Sequence, residues 1–354
     1  MSGAFGWGGK DRAADRNSSN GTAGFGSAYG AYQQPASPGT RGGALAGAGV
    51  MGADSVATPR PGGAAAASPV DLSPKDLAAE ADNVLIVSMD VTGSMGDWRD
   101  EIYRRMPLLY KEAQALLGQS LAVLFVAFGD VKFGDEIWVT RFGAGPELDV
   151  LLDSLPRSAG GGGDEEESPE LVALYVLTRV DVSRARNIYF WTITDERPAE
   201  QIDPQLARQY VGVQALPAAR TTKAVFDALA LKMRPFVVLK RADTGSYDPD
   251  RIRGAWERAL GRERVLPLDD GRRVVDVMLA VVAKTTGQTA AFTASLQARQ
   301  GGTAHGAVNI ATVQRSVALV PDGAAPLQLP VARSKCLLPD GAAPMTIAPP
   351  THRK

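Results

Sequence analysis

Cysteine is nearly absent. Cys336 is the only one in 354 residues, which excludes a disulfide framework and any multi-cysteine zinc site. Histidine is almost as scarce: His305 and His352 both lie in weakly patterned C-terminal sequence. Ser-His-Asp hydrolases, Cys-His proteases and His-rich zinc hydrolases are therefore poor readings. No GxxxxGK[ST] phosphate loop occurs either. Neither sign of charge is in excess, since 38 basic side chains against 39 acidic ones leave a net charge of −1. That balance gives no whole-chain attraction to nucleic acid or anionic lipid. Long apolar runs are missing too. The longest, around Leu121 to Phe128, falls far short of the roughly 20 residues that cross a bilayer. The N-terminus, MSGAFGWGGKDR, has no apolar stretch that reads as a secretory signal. A soluble, cytoplasmic chain with neither membrane nor nucleic-acid partners is expected.

Glycine is plentiful, and it is unevenly spread. Residues 1–75 are a Gly/Ala-rich island, and close to half of the first 70 are one or the other. Such a segment buries too little apolar surface to offset the entropy of ordering it, so it reads as a disordered tail. Over 76–288 the pattern changes. Short runs rich in β-branched residues, NVLIVSM ending at Asp90, Leu121 to Phe128 and NIYFWTIT ending at Asp195, alternate with segments of helical spacing. Pro107 should kink or restart the first helix, and Glu136 to Phe142 reads as a half-exposed strand. This is an α/β domain: a doubly wound, mostly parallel sheet with helices on both faces and one antiparallel edge strand. After Gln288 the periodicity fades. Residues 289–354, with PDGAAP twice, read as a poorly structured tail or a small hairpin appendage.

Three sequence-distant loops follow strands, and each carries hard oxygen donors. They are Asp90-Val-Thr92-Gly-Ser94-Met95, the stretch Gly160 to Ser168 (GGGGDEEES), and Thr194-Asp195-Glu196. In a parallel α/β sheet the C-terminal strand ends share one edge, where ligands bind. Asp90 and Asp195 would meet there, with Thr92 and Ser94 alternating with Asp90. One or two carboxylates, two hydroxyls and water make an oxygen site suited to Mg²⁺ or Mn²⁺. Glu165 and Glu166 read as a solvated charge run.

DVTGSM resembles the Asp-x-Ser/Thr-Gly-Ser-Met signature of von Willebrand factor A domains, and the later two loops follow in that family's order. The resemblance covers roughly residues 80–285. It implies a doubly wound fold and a metal-ion-dependent adhesion site, in which a divalent cation is completed by an acidic residue of a protein partner. It also implies a setting beside an ATPase or in a stress- or phage-related assembly. Its second loop usually offers a Thr ligand. Here Asp164, Glu167 and Ser168 are the alternatives, and Asp164, closest to the glycines, is favoured. The expected metal set is Asp90, Thr92, Ser94, Asp164 and Asp195.

A rival reading comes from another class. DVTGS also resembles the nucleophile loop of haloacid-dehalogenase-like phosphotransferases, which would make Asp90 a Mg²⁺-assisted aspartyl nucleophile. That family's late acidic loop is missing, and no histidine lies within 76–288. The expectation is a non-enzymatic, divalent-cation-dependent binding and scaffold module that captures an acidic group of a partner.

Overall fold

The computed structural model describes residues 77–160, 165–213, 220–241, 248–302 and 304–323. The expected tail over 1–75, Asp164 and everything after 323 lie outside the described residues.

Six strands form the central sheet: β1 (Asn83–Asp90), β2 (Leu121–Phe128), β3 (Ile137–Val139), β4 (Asn187–Thr194), β5 (Arg234–Lys240) and β6 (Val265–Leu268). Their spatial order is β6-β5-β4-β1-β2-β3. All neighbours are parallel except β3, which runs antiparallel to β2 at the edge. The sequences explain this. β1 and β2 are buried along their whole length, as continuous apolar runs must be when helices cover both faces of a sheet. The edge strand is shorter than the Glu136 to Phe142 stretch that alternation suggested.

One face of the sheet packs against α1 (Trp98–Leu117), α2 (Glu147–Ser154) and, further along, α6 (Val274–Thr285); the other packs against α3 (Pro169–Arg179), α4 (Thr222–Ala230) and α5 (Pro249–Leu260). Alternate β1 residues divide between the two cores: Leu85, Val87 and Met89 on the first, Val84 and Ile86 on the second. Helix α1 does not restart at Pro107 but runs through it as one element. The buried stripe Ile102, Met106, Leu109, Ala113 spans the proline, and its packing outweighs the single lost backbone bond. Pro169 and Pro249 start their helices at the position where a missing N–H costs nothing.

The C-terminal expectation needs correction. Residues 289–323 are neither tail nor hairpin: α7 (Thr289–Gln300) and α8 (Ala304–Ser316) fold onto the domain. Phe292, Leu296, Val313, Val317 and Val320 join the first core. Ser316 Oγ donates to the Pro267 carbonyl at 2.7 Å, and Gly323 N to that of Lys284 at 2.9 Å. The cause lies in α6, whose residues are buried almost all round. A helix that is apolar on every side needs a further layer over it, and α7 and α8 supply that layer.

Among the described residues no helix is long and apolar enough to cross a membrane.

Candidate functional site

The chain winds outward from β1 in one direction through β2 and β3, then returns to β4 on the other side of β1. The ends of β1 and β4 therefore flank the topological switch point, the place where open α/β sheets open a crevice for ligands. Their register, Met89 beside Ile193, carries Asp90 and Thr194-Asp195 out of the sheet together.

After Asp90 the first loop tightens into a 3₁₀ turn over Gly93–Met95, and Gly96 at φ 51° swings the chain into α1. Thr92 donates twice to Asp90 Oδ1, from its backbone N at 2.9 Å and its hydroxyl at 2.6 Å. Thr194 Oγ1 donates to Asp90 Oδ2 at 2.7 Å, and Ser94 Oγ to Asp195 Oδ1 at 2.9 Å. Thr92 Oγ1 and Ser94 Oγ stand 3.0 Å apart. The structure thus brings together four of the five expected donors: Asp90, Thr92, Ser94 and Asp195. Each hydroxyl has one proton, and an ionised carboxylate only accepts. With both carboxylates ionised, two hydroxyl protons serve three contacts, and either hydroxyl can be the donor between Thr92 and Ser94.

Asp90 is fully buried. Burial first, and the Asp195 charge second, push its carboxyl up to about 7, against the opposing bonds from Thr92 and Thr194.

The second loop is laced to the other two. Ala159 N donates to the Val91 carbonyl at 2.8 Å, Arg197 N to that of Glu165 at 3.1 Å, and Glu166–Glu167 pairs in parallel with Arg197–Pro198. Asp164 lies outside the described residues. Of its two alternatives, Ser168 Oγ accepts the Val131 amide at 3.1 Å. Glu167 is buried, and its Oε2 has no hydrogen-bond partner among the described residues. Burial and then the charges of Asp90, Glu196, Asp130 and Asp135 push the Glu167 carboxyl up to about 11. It is the loop's buried acid facing the Asp90 field. Glu165 and Glu166 are not a solvated run: Arg197 reaches both, Lys132 pairs with Glu166, and Arg251 holds Glu165 at 2.9 Å.

Neighbouring side chains support the loops. Asp130 Oδ1 accepts the Lys132 amide, while Asp135 accepts the amides of Asp130 and Gly160. Trp98 packs flat against Gly271, where an added Cβ would stand 3.0 Å from the indole. Trp256, buried beside Phe226, donates to the Glu196 carbonyl at 2.8 Å and so fixes the third loop from beneath.

Sequence reasoning missed Lys240. From the end of β5 its ammonium reaches Asp195 Oδ2 at 3.1 Å and the Ser94 carbonyl, tying the third loop to the first. The available signal was a basic residue closing the apolar run PFVVL.

Among the described residues no three carboxylate, histidine or cysteine side chains cluster to hold a metal by themselves. The set that meets here is of another kind, two carboxylates bridged by two hydroxyls. An octahedral Mg²⁺ at about 2.1 Å from its ligands has neighbouring ligand oxygens roughly 3 Å apart. The 2.6, 2.9 and 3.0 Å separations along Asp90, Thr92, Ser94 and Asp195 fit that spacing.

No protein-family model matches the chain, and no curated protein matches it. Solved structures do. The pilus adhesin SpaC from Lactobacillus rhamnosus GG aligns at 13% identity over 59% of this chain and 31% of its own, with a TM-score of 0.43. A PilB minor pilin from Streptococcus sanguinis aligns at 10% identity over 61% of this chain and 64% of its own, with a TM-score of 0.39. A von Willebrand factor type A structure from Catenulispora acidiphila aligns at 16% identity over 58% and 43%, with a TM-score of 0.36. The chain spans less than two thirds of each. At these scores the likeness carries no argument about site or partner.

Proposed function

We propose that this chain is a non-enzymatic binding module of the von Willebrand factor A type, which takes Mg²⁺ or Mn²⁺ at the switch point and captures an acidic group of a protein partner. It is read as a cytoplasmic scaffold component. One observation carries this reading: the oxygens of Asp90, Thr92, Ser94 and Asp195 meet in a chain of 2.6, 3.0 and 2.9 Å contacts, in which ionised carboxylates leave two hydroxyl protons for three contacts. A cation against these oxygens relieves that shortage. Asp90 adds to it: it is fully buried, and among the described residues its oxygens accept from hydroxyls and an amide.

Asp90, Thr92, Ser94 and Asp195 would hold the ion, with Glu167 as the buried acid from the second loop. When bound, the ion supplies a positively charged coordination position that a carboxylate can enter in place of water. The residues around it keep the loops in register and keep bulk water out.

Crystals soaked in MnCl₂ test the reading. Anomalous density bounded by Asp90, Thr92, Ser94 and Asp195 is expected. A soaked crystal without density there would refute it.

A further inference from the structure

We infer that Lys240 is a built-in counter-cation that sets the charge of the metal site, weakening the bare site's hold on a divalent ion and making the loaded site one unit of charge more positive for an anionic partner group. This rests on the metal reading above.

The geometry divides the two aspartates. Asp195 is compensated: one oxygen accepts from Ser94, the other from Lys240 at 3.1 Å, and the side chains of this pair are only 8% and 5% exposed. Among the described residues Asp90 has no basic partner; its oxygens accept from Thr92 and Thr194. A buried ammonium is screened less by salt than an exposed one, so its charge is felt at the neighbouring site. Lys240 also donates to the Ser94 carbonyl. It thus holds the first and third loops together before any ion arrives.

Charge accounting then sets the chemistry. Lys240 makes the site one unit of charge more positive, empty or loaded, than its carboxylates alone would. Without it a loaded site would attract an outside acidic group less strongly. The same ammonium repels the incoming ion. Tight metal binding is therefore traded for attraction of the partner.

Lys240→Gln removes the charge and keeps a donor for the Ser94 carbonyl, while Lys240→Arg keeps the charge. Mn²⁺ alone is titrated calorimetrically into the full chain and both variants, with thermal unfolding checked in parallel. The expected result is at least about tenfold tighter Mn²⁺ binding by Lys240→Gln, with Lys240→Arg within about threefold of the parent. Binding by the parent with an unchanged or weaker affinity in Lys240→Gln overturns the role of Lys240 and leaves the metal reading standing. Binding by Lys240→Gln with none by the parent supports the charge role of Lys240 and removes the proposed function of the parent as a metal-dependent module. No binding by any of the three removes the metal reading, and this inference with it. If Lys240→Gln fails to fold, Lys240→Met serves as the neutral variant, and the same outcomes apply.

Discussion

Glu170 offers a test of the electrostatics around the second loop that needs no ligand. It occupies the first turn of α3, buried, where Oε2 accepts the Ala199 amide at 3.3 Å. A helix N-terminus favours an anion, but burial dominates and pushes this carboxyl up from 4.5 to about 8. A raised carboxyl pKa means that the folded state binds the proton more tightly than the unfolded chain does. Stability is then greatest below pH 4.5, falls as pH rises towards 8, and levels off above it. Between pH 4.5 and 7 the loss is about 3 kcal/mol, from about 1.4 kcal/mol per pH unit. Glu170→Gln keeps the shape and the acceptor for Ala199 while removing the charge. In urea unfolding it should match the parent near pH 4.5 and exceed it by on the order of 2–3 kcal/mol at pH 7. Parallel stability curves for parent and variant from pH 4.5 to 8 would refute the reasoning.

Other expectations follow from the packing and the site. Leu296→Ala in α7 should cost roughly 2–5 kcal/mol in the same assay, because Leu296 belongs to the first core. A chain ended at Gln288 should melt well below one ended at Gly323 and bind a hydrophobic dye, because α6 loses its cover. Thr92→Ala and Ser94→Ala should each weaken Mn²⁺ binding by less than Asp90→Ala does, since a neutral hydroxyl contributes less than a charge; equal losses would mean that the loop collapses as a unit. Purified protein should not turn over phosphate esters, and steady hydrolysis abolished by Asp90→Asn would favour the aspartyl-phosphate alternative.

The sheet was legible because its strands announce themselves: NVLIVSMD, LAVLFVAF and NIYFWTIT are buried nearly end to end, and only a parallel sheet covered on both faces tolerates such runs. The first and third loops were legible for the same reason, since each begins where an apolar run stops at an aspartate. The C-terminal helices were not. α7 buries only Phe292 and Leu296 among Ala, Thr, Gln and Arg, too thin a stripe for a periodicity reading. The clue was the preceding helix, VVDVMLAVVAKT, apolar on all sides and so unable to end the domain. Lys240 escaped for a different reason: ion pairs across strands depend on sheet order, and β5 neighbours β4 only once the topology is known. The acids of the second loop were misread likewise, because Arg197 and Arg251, which hold them, come from distant parts of the chain.

The central claim is that the oxygens of Asp90, Thr92, Ser94 and Asp195 form a divalent-cation site. Calorimetric titration of Mg²⁺ and Mn²⁺ into the parent chain and Asp90→Ala tests it most directly. Saturable binding near one ion per chain is predicted for the parent, none for Asp90→Ala, and unchanged circular dichroism for the variant, because Asp90 ends β1 and belongs to neither hydrophobic core. Identical heats for the two proteins would contradict it, and the first loop would then be an ordinary hydrogen-bonded turn between a strand and a helix.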